Sequence, residues 1–179
     1  MPRNVAFLRA INVGGHTVKM DQLRELFAEL GFKNVETFIA SGNVLFDSPG
    51  KATPAMEAKI EKHLQKALGY KVDTFVRPLA DLAAVLTHHP FAELEADAHA
   101  LHVGFMRSPP AADTAAKLFA LQSDFHRFHV HDREVYWLTY QPTGESKIGN
   151  NTFEKTLGCS ATFRNANTVR RLAAKVKTA

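Results

Sequence analysis

Strand-like and helix-like segments follow one another along this chain in an order that occurs twice. Continuous or alternating apolar segments predict strands, and apolar residues spaced three and four apart predict amphipathic helices. In the first half these patterns predict the order βαββαβ, at residues 4–11, 20–30, 35–39, 44–46, 54–68 and 72–76. A helix at 79–86 follows, and the second half repeats the order at 100–106, 113–121, 125–130, 135–139, 151–157 and 161–163, with a last helix at 167–176.

The repeated order predicts an α+β fold of two tandem ferredoxin-like (βαββαβ) units, each with helices on one face of a four-stranded antiparallel sheet. We place the first unit and its bridging helix at residues 1–90, and the second unit with the C-terminal helix at 91–179. The duplication lies in the order of elements, because the residues themselves show no clear repeat. The open face of each sheet needs a cover, which is either the other unit or a second copy of the chain in a homodimer.

Composition points to the cytoplasm. The chain has 179 residues, of which 45% are hydrophobic and 22% charged, as in ordinary globular proteins. No segment approaches the roughly 18 apolar residues of a membrane span, and the N-terminus has the pattern of a first strand rather than of a signal peptide. The single cysteine, Cys159, cannot form an internal disulfide, which favours a reducing compartment. We therefore expect a cytoplasmic protein with no membrane partner.

The net charge of +4 is concentrated at the C-terminus. From residue 155 onward there are no acidic residues, and the basic ones are Lys155, Arg164, Arg170, Arg171, Lys175 and Lys177. Such a segment forms a solvated helix face or contacts an anionic partner. We favour the solvated face, because such basic segments usually serve solubility. A basic helix without interleaved aromatic residues also has no means to stack bases. Nucleic acid is therefore disfavoured as a partner.

Three motifs, in order along the chain, resemble a known bacterial family. Residues 6–15 (AFLRAINVGG) resemble its LRGINVGG opening, residues 37–44 (TFIASGNV) resemble TYIQSGNV, and residues 162–169 (TFRNANTV) resemble TxRNWNTV. The family is known as domain of unknown function 1697. The resemblance implies the two-unit α+β fold and no particular activity. This chain has Ala10 where the family usually has glycine, and Ala166 where it usually has tryptophan.

The loop after the first strand and the turn before the third are expected to form an anion-binding site. In a ferredoxin-like sheet of strand order 4-1-3-2 the first two strands are parallel, so both segments lie at one edge. The first helix begins just after the loop and directs free N–H groups there. The candidate ligand-binding residues are Arg9, Asn12, Gly14, Gly15, Lys19, Ser41, Gly42 and Asn43. The alternative is a set of tight turns with local side-chain bonds, and an interface ion pair for Arg9.

A second cluster is expected at one edge of the second sheet. Residues 144–147 and 164–168 follow strands that end at this edge. The candidate ligand-binding residues are Lys147, Arg164, Asn165 and Thr168. Two basic side chains near a helix N-terminus favour an anion. The alternative is that Asn165, Asn167 or Thr168 caps the last helix.

These clusters contain no recognisable set of acid, base and nucleophile, so catalytic residues, cofactors and enzyme status stay open. We expect a protein that binds a small anionic, phosphate-containing ligand. One alternative is an enzyme acting on a phosphorylated small molecule; another is weak nucleic-acid binding through the basic C-terminal helix. The histidines His126, His129 and His131 lack a completing ligand, so no metal is expected.

Overall fold

The computed structural model describes residues 1–39, 42–88 and 90–176 and shows a mixed α+β fold with two four-stranded antiparallel sheets. The strands are β1 (Arg3–Leu8), β2 (Lys33–Thr37), β3 (Asn43–Asp47), β4 (Thr74–Pro78), β5 (Ala100–Met106), β6 (His126–His131), β7 (Glu134–Thr139) and β8 (Ala161–Asn165). The α-helices of the described residues are α1 (Met20–Glu29), α2 (Pro54–Leu68), α3 (Leu82–Thr87), α4 (Ala112–Phe119), α5 (Asn150–Leu157) and α6 (Ala166–Ala173). Within the same residues, none of these helices is long and apolar enough to cross a membrane.

The chain divides into two compact units. The first is Met1–Leu82 together with the chain from Leu172 onward, and the second is Ala83–Arg171. The division that we expected from the sequence, between residues 90 and 91, stays a prediction.

The first sheet has the order β2-β3-β1-β4, with every neighbouring pair antiparallel. One face of the sheet packs against α1 and α2, whose apolar faces are set by three- and four-residue spacing. Buried residues of this core include Ala6, Leu8, Leu23, Phe27, Val44, Phe46, Ile60 and Leu64. Each large apolar side chain buried there contributes about 1.5–3 kcal/mol.

The second sheet has the corresponding order β6-β7-β5-β8. Its core contains Met106, Leu118, Phe128, Trp137 and Phe153. Phe163 of β8 packs directly over Gly104 of β5, because a Cβ added at Gly104 would lie only 2.6 Å from the Phe163 ring. The close approach of ring and backbone requires glycine at this position.

Helix carboxylates satisfy N–H groups of one edge strand in each unit. In the first unit, Glu57 and Glu61 of α2 accept hydrogen bonds from the Val76 and Thr74 amides of β4, both at 2.8 Å. In the second unit, Glu154 of α5 accepts from the Ala161 amide of β8 at 3.3 Å. A side chain that occupies these donors keeps them from pairing with another strand.

The prediction that Arg9 lies within the first strand is wrong. β1 ends at Leu8, and Ala10 adopts a φ of +58°. A left-handed residue turns the chain out of the extended path, so Ile11 does not continue the strand alternation that would place it on one face with Arg9. The same φ gives a physical reason for glycine at this position in the motif that the chain resembles.

Candidate functional site

Hydrogen bonds at both ends hold the loop that follows β1. The Tyr70 hydroxyl donates to the Ile11 carbonyl at 2.9 Å, and the Val18 amide donates to Asn12 Oδ1 at 2.7 Å. The His16 ring stacks on Tyr70 with 3.9 Å between ring centroids. The Asn12 oxygen therefore makes the local backbone bond that was the alternative to ligand binding, and the loop between these anchors has a defined shape.

The middle of this loop is open to solvent. Gly14 and Gly15 have φ values of +67° and +87°, and a Cβ added at either would meet nothing within 4 Å. Helix α1 begins shortly afterwards, with Lys19 as its N-cap residue and no side-chain bond to the first turn. The backbone N–H groups of that turn are hence available to an anion, as at other helix N-termini. Lys19 is exposed beside them.

Arg9 lies at the base of the same loop and is partly buried. Its backbone amide donates to the Asp73 carbonyl at 2.9 Å, and its Nη1 is 4.0 Å from Asp73 Oδ2. Lys71 Nζ lies 2.8 Å from Asp73 Oδ1. Two basic side chains therefore lie at the Asp73 carboxylate.

The described part of the turn before β3 lies against the end of β1. The Leu8 amide donates to the Gly42 carbonyl at 2.8 Å, and a Cβ added at Gly42 would be 2.7 Å from Ile11 Cγ2. Asn43 is 1% exposed and donates from Nδ2 to the Phe38 carbonyl at 2.9 Å, so its amide stabilises the turn. Ser41 lies outside the described residues. Ile39 has a φ of +56°, a strained conformation for a β-branched residue.

The residues predicted to form the second cluster occupy different environments. Arg164 is buried and donates from Nη1 to Thr162 Oγ1 and to the Phe163 carbonyl, both at 2.9 Å. Burial lowers the pKa of Arg164 to about 10, so it is still a cation at neutral pH. Lys147 is exposed. Asn165 follows Arg164 on β8 and thus points to the opposite face of the sheet.

Asn165 and Thr168 lie near the start of α6. Asn165 Oδ1 accepts from the Asn167 amide at 2.8 Å, which is the helix-capping role expected as the alternative. Asn165 also lines a small polar cavity of about 140 Å³, together with His99, Asn167 and Arg170. Thr168 is partly buried within the helix.

A cluster around His126 was missed by sequence reasoning. Trp137 Nε1 donates to His126 Nδ1 at 3.1 Å. The other ring nitrogen, Nε2, lies 3.2 Å from Ser146 Oγ and 3.2 Å from Nε2 of the Gln141 amide. The alternation of β6 places His126 on the helix-covered face with Phe128, a signal that the sequence did contain.

The hydrogen bond from Trp137 fixes the tautomer of His126. An indole N–H can only donate, so Nδ1 is the acceptor and the proton of the neutral ring is on Nε2. Burial lowers the pKa of His126, which favours this neutral form. Ser146 and His126 have the spacing of a nucleophile and its base, but Nε2 already carries a proton and cannot accept the serine proton. The pair is therefore not arranged to activate the serine.

Cys159 has little thiolate character. Burial, and then the nearby Glu154 charge, raise the pKa of its thiol, which lowers its reactivity. Across the described ranges, no group of three or more His, Cys, Asp or Glu residues is placed to hold a metal ion.

Basic residues near the C-terminus have acidic partners. Arg170 pairs with Glu95 and also donates to Asn167 Oδ1 at 2.8 Å. Lys175 Nζ lies 3.0 Å from Glu36 Oε2 and 5.2 Å from the centroid of the Phe38 ring. Lys177 is outside the described residues. Pairing of this kind reduces the positive potential that a polyanion would meet.

Comparison with known proteins shows the fold and the family. The chain is 24% identical to the conserved bacterial protein SP0830 from Streptococcus pneumoniae, with a TM-score of 0.79 and coverage of 99% of both chains. This similarity shows a shared fold. No functionally curated protein matches the chain. The model of the family described as protein of unknown function (DUF1697) matches residues 1–136. The chain therefore belongs to the DUF1697 family.

Proposed function

We propose that this is a cytoplasmic protein of two tandem ferredoxin-like units, and that it binds a small anionic, phosphate-containing ligand at the edge of the first sheet. The binding residues are the open loop around Gly14 and Gly15, the first turn of α1, and the side chains of Lys19 and Arg9. The observation that carries the proposal is the solvent-exposed loop leading into a helix whose first turn has no side-chain cap.

The repeated architecture supports the two-unit part of this proposal. Both sheets have the strand order expected of a ferredoxin-like unit. In both, a glutamate of the helix that precedes the last strand accepts from that strand's amides. Two copies of a duplicated unit are expected to share such hydrogen bonds as well as the strand order.

Charge and backbone geometry together support an anion at this edge. The N–H groups of a helix start act as a partial positive charge, and Lys19 adds a full one. Arg9 and Lys71 both lie at the Asp73 carboxylate near the base of this loop. Because the loop is anchored by Tyr70 and Asn12, little conformational entropy is lost when a ligand binds.

Calorimetric titration with inorganic phosphate and with nucleoside mono- and diphosphates tests the proposal. We expect Lys19→Ala to weaken binding about tenfold, which corresponds to about 1.4 kcal/mol. Lys66→Ala is the matched control, because Lys66 is an exposed lysine at the end of α2 in the same unit. Equal affinity of both variants, or no binding by the unmodified protein, would refute the proposed site.

The same ligands separate binding from catalysis. The protein is incubated with a panel of phosphate esters, and release of phosphate is measured over hours. Binding without turnover is the expected result. Turnover that depends on Lys19 or Arg9 would instead favour an enzyme in which these cations stabilise developing negative charge.

A further inference from the structure

We propose that His126 is a proton-sensitive latch at one end of the second sheet. In its neutral form the ring holds Trp137 in the core of the unit. Proton uptake breaks that contact and opens the adjoining loop at residues 140–149. The ring can contact both, because β6 begins at His126 opposite the last residue of β7, after which the loop starts. The latch lies in the second unit and does not rest on the anion site proposed at the end of β1.

The hydrogen bond between Trp137 and His126 is the feature that responds to the proton. Trp137 Nε1 lies 3.1 Å from His126 Nδ1, and an indole N–H can only donate. A protonated imidazole carries a hydrogen on both of its nitrogens. In the charged state two donors would therefore face each other across this distance, and neither could accept. The bond exists only while His126 is neutral.

The surroundings of His126 do not stabilise a charged ring. His126 and Trp137 are each 5% exposed. The titratable and charged groups on the elements around the ring are Lys117 of α4, Asp124 and Arg127 beside His126 in the chain, Glu145 and Lys147 of the loop, Glu154 and Lys155 of α5, and His99 and His102 around the start of β5. Among the described residues, none of these side chains forms a hydrogen bond or an ion pair with the ring. A buried charge without a partner is unstable, so the charged ring has to move toward solvent. Burial accordingly lowers the pKa of His126, and the latch is closed at neutral pH.

Movement of the ring also disturbs the loop at residues 140–149. Nε2 of His126 lies 3.2 Å from Ser146 Oγ and 3.2 Å from Nε2 of the Gln141 amide. Ser146 Oγ in turn accepts from the Ile148 amide at 3.0 Å. The ring therefore contacts the loop near its beginning and, through Ser146, near its end. When the ring leaves, both contacts are lost together.

Trp137 is destabilised at the same time. Its ring packs among Phe153 and Phe163, whose ring centroids lie 5.3 Å and 6.2 Å from its own. Without Nδ1 as acceptor, its N–H would be unbonded among these rings, which destabilises the closed packing. Proton uptake is therefore expected to open this end of the unit rather than to rotate one side chain alone.

A pH titration followed by nuclear magnetic resonance tests the latch. The chain has one tryptophan, so a nitrogen–proton correlation spectrum contains one indole signal, that of Trp137. We expect this signal to shift in one transition as the pH falls from 7.5 to 4, while circular dichroism shows the fold retained. The ring-nitrogen signals of His126 should change with the same midpoint. Below the transition, protection of the Ile148 amide against hydrogen exchange should be about tenfold lower or less, while the amides of β1 in the first unit keep theirs.

Two variants assign the proton to its site. His126→Asn supplies an amide oxygen near the place of Nδ1, which accepts from Trp137 but does not titrate in this range. The indole signal and the protection of Ile148 should then be independent of pH. His102→Asn is the matched control, because the His102 ring is also close to Trp137, with 5.1 Å between the ring centroids. This variant should keep the transition.

Three results would overturn the proposed latch. One is an indole signal that does not change down to pH 4, or that changes only together with loss of the whole fold. The second is a transition that persists in His126→Asn. The third is a transition that disappears in His102→Asn, because His102 would then be the group that takes up the proton. If His126→Asn does not fold, the unmodified protein decides, since different midpoints for the His126 ring and the indole signal would equally refute the latch.

Discussion

Replacing Gly42 with alanine tests the contact between the end of β1 and the turn before β3. Gly42 has a φ of +77°, and the new Cβ would lie 2.7 Å from Ile11 Cγ2 and 3.2 Å from Leu8 Cβ. A left-handed conformation costs a residue with a Cβ about 1–2 kcal/mol. Insertion of a methyl group into a filled space costs about 1–3 kcal/mol more. We therefore expect Gly42→Ala to lower the free energy of unfolding by about 2–5 kcal/mol.

Two further glycines separate these contributions. Gly14 has a φ of +67° and open space around the added Cβ, so Gly14→Ala should cost only the conformational part, about 1–2 kcal/mol. Gly104 lacks the positive φ but its Cβ would meet the Phe163 ring at 2.6 Å, so Gly104→Ala should cost the packing part, about 1–3 kcal/mol. Urea unfolding followed by circular dichroism gives the free energy of unfolding of each variant. The comparison holds if the slope of this free energy against urea concentration is the same in all of them. Equal losses for Gly42→Ala and Gly14→Ala would show that Gly42 is not in contact with Ile11, which would refute the juxtaposition of loop and turn.

Three other predictions concern the edge carboxylates, the buried histidines and the basic helix. Glu61→Ala removes the acceptor of the Thr74 amide and should lower the free energy of unfolding by about 1–3 kcal/mol; a loss no larger than that of the exposed Glu25→Ala would contradict this. Burial lowers the pKa of His102 and His126 below 6.5, so the unfolded chain binds more protons and stability falls as pH drops from about 6.5 through the folded-state values. A melting temperature that rises on acidification from pH 7.5 to 5 would refute it. Oligonucleotide binding should be weak, independent of sequence and steeply reduced by salt, because Arg170 and Lys175 of the C-terminal segment have acidic partners. Salt-resistant, sequence-dependent binding in a fluorescence titration would contradict that.

Periodicity allowed the order of elements to be predicted, because burial of one face imposes a period on each helix and strand. It could not place the end of β1, since the left-handed conformation of Ala10 leaves no trace in the apolar pattern. The expected position of the Asn12–Gly15 loop beside the turn before β3 came from where the strands end. The burial of Asn43 could not be predicted, because its hydrogen bond to the Phe38 carbonyl depends on the shape of the turn rather than on the residue type.

The His126 cluster was beyond sequence reasoning for a different reason. Its chemistry depends on a tryptophan on the next strand and a serine in a distant loop. A histidine in an alternating strand is compatible with a core role, a metal ligand or a base. Only the identity of the group facing Nδ1 decides between them, and that group is set by the pairing of β6 with β7.

The glutamates that accept from β4 and β8 have a consequence for the fate of the protein in a cell. An edge strand with unoccupied amides recruits strands from other chains, and aggregates grow from such contacts. Glu57, Glu61 and Glu154 accept hydrogen bonds from the edge-strand amides to which another strand would bond. Substitutions at these positions would therefore be noticed first as a smaller yield of soluble protein, even where the molecules that do fold bind their ligand normally.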